Sequence, residues 1–207
     1  MANKSGNIYG LTILSPIRQD PHAQISPSLA IRSYLQTLPN GSRSPFAKVS
    51  GTHMARLVVM DDVVFEGYPS HEEHLRDKYL VFESNFDGDL DDYLRKLASE
   101  VPSEVEGVWQ HCRDFPGVKD SDKFVAYMKR CQVTTTFFFA DVNNKTVDQT
   151  LWALEAQSAV AEFVEKNQGK PAEEIQSAFV KFVKLLRATP PPPPGSGHGK
   201  EFTDRLI

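Results

Sequence analysis

Thr134-Thr135-Thr136-Phe137-Phe138-Phe139-Ala140 is a run of β-branched and aromatic residues without a charge, the composition that suits a pleated, half-buried surface. Read as a strand, it closes an alternation that can be followed back to the start of the chain. Ahead of it lie helical stretches at Ser121 to Cys131 and Glu104 to Arg113, parted by Phe115-Pro116-Gly117. Before those, Leu90, Tyr93, Leu94 and Leu97 recur at helical spacing behind an acidic first turn that suits a helix dipole. The turn Asn85-Phe86-Asp87-Gly88-Asp89 joins this helix to a strand, Tyr79 to Ser84. A polar connection from Pro69 to Lys78, with a short helical turn, leads back to a long strand from Phe46 to Met60, closed by Asp61-Asp62. Ser26-Pro27 caps a helix carrying Leu29, Ile31, Tyr34, Leu35 and Leu38, which ends at Pro39-Asn40-Gly41. Ile8 to Leu14 is the first strand, closed by Pro16.

The order β-α-β-β-α-β is the ferredoxin-like split βαβ arrangement of an α+β fold. Two helices cover one face of a four-stranded antiparallel sheet, and extra helices fill the second crossover. Two C-terminal helices follow, Val147 to about Asn167 and Pro171 to about Arg187, which could cover the other sheet face or pair with another subunit. The expected organisation is a ferredoxin-like domain over 1–142, a helical extension packed on it over 143–188, and a proline- and glycine-rich disordered tail over 189–207. Five consecutive prolines from Pro190 make that tail extended and suited to protein contacts.

Composition narrows the partners. Hydrophobic residues are 40% and charged residues 24%, with a net charge of −4 and the basic residues scattered. That describes a globular chain with a real core and argues against nucleic acid. The apolar stretch from Ile8 to Ile17 is broken by Gly10, Thr12 and Ser15, too short for a membrane span and without a signal-peptide pattern. Two cysteines, Cys112 and Cys131, have neither disulfide-scaffold nor zinc spacing, so a cytoplasmic location is expected.

The split βαβ order, Gly51-Thr52-His53-Met54-Ala55-Arg56 entering the second strand, and Phe82-Glu83-Ser84-Asn85-Phe86-Asp87-Gly88 ending the third together resemble the dimeric α+β barrel superfamily. That superfamily includes dye-decolorising peroxidases, chlorite dismutases and small antibiotic-biosynthesis-type monooxygenases. The resemblance covers Ile8 to Val142. It implies a homodimer that packs sheet on sheet and binds haem or an apolar, planar small molecule between sheet and helices. Ser84-Asn85-Phe86-Asp87-Gly88 keeps the Asp-Gly pair of the peroxidase Gly-x-x-Asp-Gly motif, with Ser84 where its first glycine belongs. Those enzymes take a haem-ligand histidine from a later domain, and the two helices after Val142 hold none.

The candidate site residues each have a structural reading beside the functional one. His53 ligates iron or moves a proton, or is a hydrogen-bonded sheet histidine. Arg56 neutralises developing negative charge; three residues from His53 on a strand, it points to the opposite face unless a bulge intervenes. Asp87, with Asn85 on the same turn, positions peroxide or a substrate hydroxyl, whereas Asp87, Asp89, Asp91 and Asp92 could equally start a helix. His111 beside Cys112 is an axial-ligand candidate, against simple core packing of the cysteine. His71 and His74 meet on one helical turn but lack a third metal ligand, so no metal site is assigned. The phenylalanine run could stack a planar ligand or fill sheet core.

Nucleotide loops and hydrolase elbows are absent from the sequence. The expectation is a dimeric small-molecule-binding protein performing haem-dependent, peroxidase-like oxidoreductase chemistry. The alternatives are a cofactor-free monooxygenase or cyclase and a non-catalytic interaction protein.

Overall fold

The computed structural model describes residues 3–65, 67–68 and 74–195. His71 with the rest of 69–73, the first half of the Pro69 to Lys78 connection, and the tail from 196 onward lie outside them. Four antiparallel strands form one sheet: β1 (Lys4–Ser5), β2 (Ile8–Pro16), β3 (Thr52–Met60) and β4 (Tyr79–Asp87), in the order β1-β2-β4-β3. Among the described residues seven α-helices accompany it: α1 (Pro27–Thr37), α2 (Pro45–Lys48), α3 (Leu90–Glu100), α4 (Pro102–Trp109), α5 (Ser121–Arg130), α6 (Val147–Asn167) and α7 (Ala172–Ala188). The class is α+β with one four-stranded antiparallel sheet, as the sequence predicts, but the order β1-β2-β4-β3 does not establish the expected ferredoxin-like split βαβ arrangement.

Period-2 burial decides which face of the sheet is covered. Tyr9, Leu11 and Ile13 of β2 lie in register with Phe86, Ser84 and Phe82 of β4 and are buried with them. Helices α1, α3, α4 and α5 supply the rest of this core through Ile31, Tyr93, Leu94, Leu97, Val108, Trp109, Phe124 and Met128. Two polar pairs are buried here, while the Tyr127 hydroxyl of the same core has no hydrogen-bond partner among the described residues. The Trp109 indole N–H donates to Ser15 Oγ at 3.1 Å, and Ser84 Oγ lies 2.7 Å from the Tyr93 hydroxyl. Cys112 and Cys131 are free thiols. Burial, helped by the neighbouring Cys131, pushes the Cys112 thiol up to about 12. Since the thiolate is the reactive form, a disulfide reagent at mildly alkaline pH is expected to modify half-buried Cys131 and to reach Cys112 only on unfolding. Two equally fast thiols in the folded protein would contradict this placement.

Three expectations are corrected. First, Phe46 does not begin a strand: Ser44-Pro45 starts the short helix α2, Val49 closes it, and β3 begins only at Thr52. Second, β4 does not stop at Ser84 but runs through Asn85 and Phe86 to Asp87, and turns at Gly88, where φ of +95° suits glycine. Third, residues 134–140 form no strand. After α5 the chain does reach the free edge of β2, where Val133 N–H donates to Thr12 O and Gln132 bridges Ile13. Beyond that point the edge is already taken. β1 pairs there, Lys4 with Tyr9 and Ser5 with Ile8. The threonine and phenylalanine run therefore lies outside β1 and is held by side chains. Asn3 Nδ2 donates to Thr135 Oγ1 at 3.0 Å, and Ala140 N–H donates to Ser5 Oγ at 3.2 Å.

Phe138 alone of the three phenylalanines turns inward, onto Gly10. A Cβ at Gly10 would stand 2.8 Å from the Phe138 ring, while Phe137 is 82% exposed. Gly10→Val is thus expected to eject Phe138 and leave the helix-covered core intact. Cleavage by chymotrypsin at 137–139 should accelerate by about tenfold or more, local opening being the step that exposes the bond. An unchanged cleavage rate would show that Phe138 is not held by this contact.

Helices α6 and α7 form a hairpin with its own small cluster. Trp152, Ala156 and Ala159 meet Phe182 and Leu186, and the rings of Phe163 and Phe182 stack at 4.7 Å. This cluster is separate from the main core. Val160, Val164, Phe179, Val180 and Leu185 of the hairpin remain exposed.

Candidate functional site

The sheet face away from α1, α3, α4 and α5 carries Leu14 of β2, Val81, Glu83, Asn85 and Asp87 of β4, and Met54, Arg56, Val58 and Met60 of β3, by register. Met54 and Val58 are 47% and 43% exposed. The face divides into an apolar half around Val81 and Val58 and a polar half around Asn85 and Asp87.

His53 reaches this face through an irregularity. Thr52 pairs with Phe86 and Met54 with Asn85, so His53 is an extra residue bulged out of the ladder. Without the bulge, simple alternation would set His53 and Arg56 on opposite faces. With it, the His53 Nε2 comes within 2.9 Å of Asp87 Oδ1. The other carboxylate oxygen, Oδ2, accepts the Val147 backbone N–H at 2.8 Å. That N–H belongs to the first turn of α6, whose start is fixed by a capping box between Thr146 and Gln149. The two side chains are only 23% and 15% exposed, so the pair is sheltered but reachable. Arg56 lies opposite Glu83, and its Nε donates to Glu83 Oε2 at 2.8 Å.

Chemically, an imidazole that donates Nε2–H to a carboxylate keeps a lone pair on Nδ1, and the carboxylate fixes the ring. Such a pair can accept a proton or ligate a metal through Nδ1. The Arg56 guanidinium is committed to Glu83 and would have to leave it to meet a ligand's charge.

Four of the expected residues, His53, Arg56, Asn85 and Asp87, thus share one face. Asn85 and Asp87 stand there on the end of β4 itself and not on a turn after it. His111 is elsewhere. Its carbonyl accepts the Arg18 N–H beyond the far end of β2, and nine strand residues put roughly 30 Å between the two ends. Burial and the charge of Arg18 lower the His111 pKa. Asp89 caps α3 by accepting the Asp91 N–H, and Asp91 pairs with Lys129. His74 pairs with Asp62 through Nδ1 at 2.7 Å. Among the described residues no three His, Cys, Asp or Glu side chains gather closely enough to hold a metal ion, and no helix is long and apolar enough to cross a membrane. Sequence reasoning missed two contributors: Glu83, signalled by its place two residues before Asn85, and the α6 amino end, signalled by Thr146 three residues before Gln149.

No family model matches the chain, and neither a curated protein nor a solved structure is significantly similar to it.

Proposed function

We propose that the chain is a small-molecule-binding protein of the dimeric α+β barrel kind, in which the open sheet face of one copy packs toward that of another and an apolar or planar ligand lies between them beside His53. The observation that carries this reading is the bulge at His53, which puts an oriented, sheltered imidazole at the border of an uncovered apolar sheet face. In this role Asp87 holds the ring, His53 Nδ1 takes a proton from the ligand, and Asn85 offers an amide for orientation. An apolar site with a few convergent polar groups is the usual form of a small-molecule pocket. The chemistry is then oxidoreductase chemistry of the monooxygenase type, or a cyclisation, on a ligand with an acidic C–H or O–H.

Haem is the competing occupant, favoured by the carboxylate–histidine pair, since a second-shell carboxylate is the usual partner of a metal-bound imidazole. His53 would hold the iron, and the haem would supply peroxide-driven oxidation. Light scattering on the purified protein, combined with a hemin titration of wild type and His53→Ala, tests both readings. A dimer with no saturable Soret band supports the cofactor-free reading. A Soret band lost in the variant makes haem the ligand. A strict monomer with no hemin binding overturns the proposal and leaves the exposed apolar stripe of α6 and α7 as the functional surface of a non-catalytic interaction protein.

A further inference from the structure

At the opposite end of the sheet lies a cleft of about 420 Å³ that the His53 site does not use. Its walls are the chain leaving β2 (Arg18 to Pro21), the start of α1 (Ser26 to Ser28) and the entry to β4 (Leu75 to Lys78), with Asp61. The charges at its mouth do not cancel. Asp61 is taken by Arg32 and Lys78, which hold its carboxyl down to about 2. Asp77 is taken by Arg113 at 2.8 Å. Arg18 donates to the Gln110 carbonyl, a neutral partner. Among the described residues neither Arg18 nor Arg76 has a carboxylate partner. Arg18 and Arg76 are thus left without a carboxylate, Arg18 resting on the Gln110 carbonyl just outside the cleft, while Asp20 accepts the His22 N–H, in a chain whose net charge is −4. A local cationic surplus attracts small anions.

We propose that this cleft binds a phosphate monoester of a small organic molecule, with Arg18 and Arg76 on the phosphate. Guanidinium forks match phosphate oxygens two at a time, which a lysine cannot do. The volume lies in the range of small-ligand pockets and leaves room for a group attached to the phosphate. The Ser26 and Ser28 hydroxyls stand at the wall, and the amino end of α1 adds a favourable field.

Titration with inorganic phosphate and with phenyl phosphate, followed by calorimetry and amide chemical shifts, tests the site. Saturable binding is expected, tighter for phenyl phosphate, with shifts at Gln19, Ser28 and Arg76. Arg76→Gln, whose side chain supports no other described contact, should weaken binding by about tenfold, which is 1.4 kcal/mol. Arg18→Gln should do the same, with folding checked by circular dichroism because it also loses the Gln110 contact. Lys145→Gln, outside this cleft, should change nothing. Absence of saturable binding up to about 10 mM, a Kd too weak for a specific site, would overturn the proposal. So would binding that survives the Arg76 change or shifts confined to other regions. These outcomes are independent of whether His53 binds a ligand.

Discussion

Phe82→Ala is expected to lower the unfolding free energy by about 3–5 kcal/mol, the usual cost of deleting a fully buried aromatic ring. Phe82 sits at the middle of the central strand β4 with no exposure, between Ile13 of β2 and Leu57 of β3 on the same face. Its ring meets Phe46 at 5.8 Å and the edge of Trp109 at 5.4 Å. Removing it opens a cavity between elements drawn from four separate parts of the chain, so local collapse cannot easily refill it. For a chain of this size the midpoint of thermal unfolding should fall by roughly 6–20 °C. Phe137→Ala is the matched control: its ring is 82% exposed, and a change within about 0.5 kcal/mol is expected. Equal losses at the two positions would mean that the core is not built around β4.

Asp87→Ala is expected to cost about 1.5–3 kcal/mol, because one carboxylate serves two donors. His53 loses the group that orients its ring, and the Val147 N–H at the start of α6 loses its acceptor. Amide exchange should accelerate at Val147 and through the first turn of α6, while α3 and α5 keep their protection. Asp87→Asn retains an acceptor for Val147 and should restore most of that protection without restoring a carboxylate to His53. If both variants leave exchange at α6 unchanged, the carboxylate does not tie the hairpin of α6 and α7 to the sheet.

The parts of this architecture that were legible in the sequence are those set by local physics. Ser26-Pro27 and the acidic turn at Asp89 mark helix starts by their capping chemistry, and the helices begin within a residue of where those caps put them. Tyr79 to Ser84 reads as a strand from its residue types, while Asn85 and Asp87 are turn-formers that the sheet overrides. The 134–140 run misled for a different reason. Its residues suit a strand, but pairing needs a vacant edge, and vacancy is a property of the whole sheet. The site shows the same division. Residue types singled out His53, Arg56, Asn85 and Asp87, while their convergence on one face depends on a bulge between Thr52 and Met54 that no residue in Gly51 to Arg56 announces.

The occupied edge of β2 has a kinetic meaning as well. Two segments compete for the same row of hydrogen bonds. One lies five residues from its partner, Lys4 to Tyr9, and the other is more than a hundred residues away, with Asn3 and Thr135 separated by 132 positions. Closing the short loop costs far less chain entropy, and near-neighbour pairings form first. The amino-terminal ribbon therefore claims the edge before residues 134–140 can be placed. It acts as a built-in plug that ends the sheet on that side, so growth of the sheet by another molecule's strand is directed to the remaining free margin, along β3.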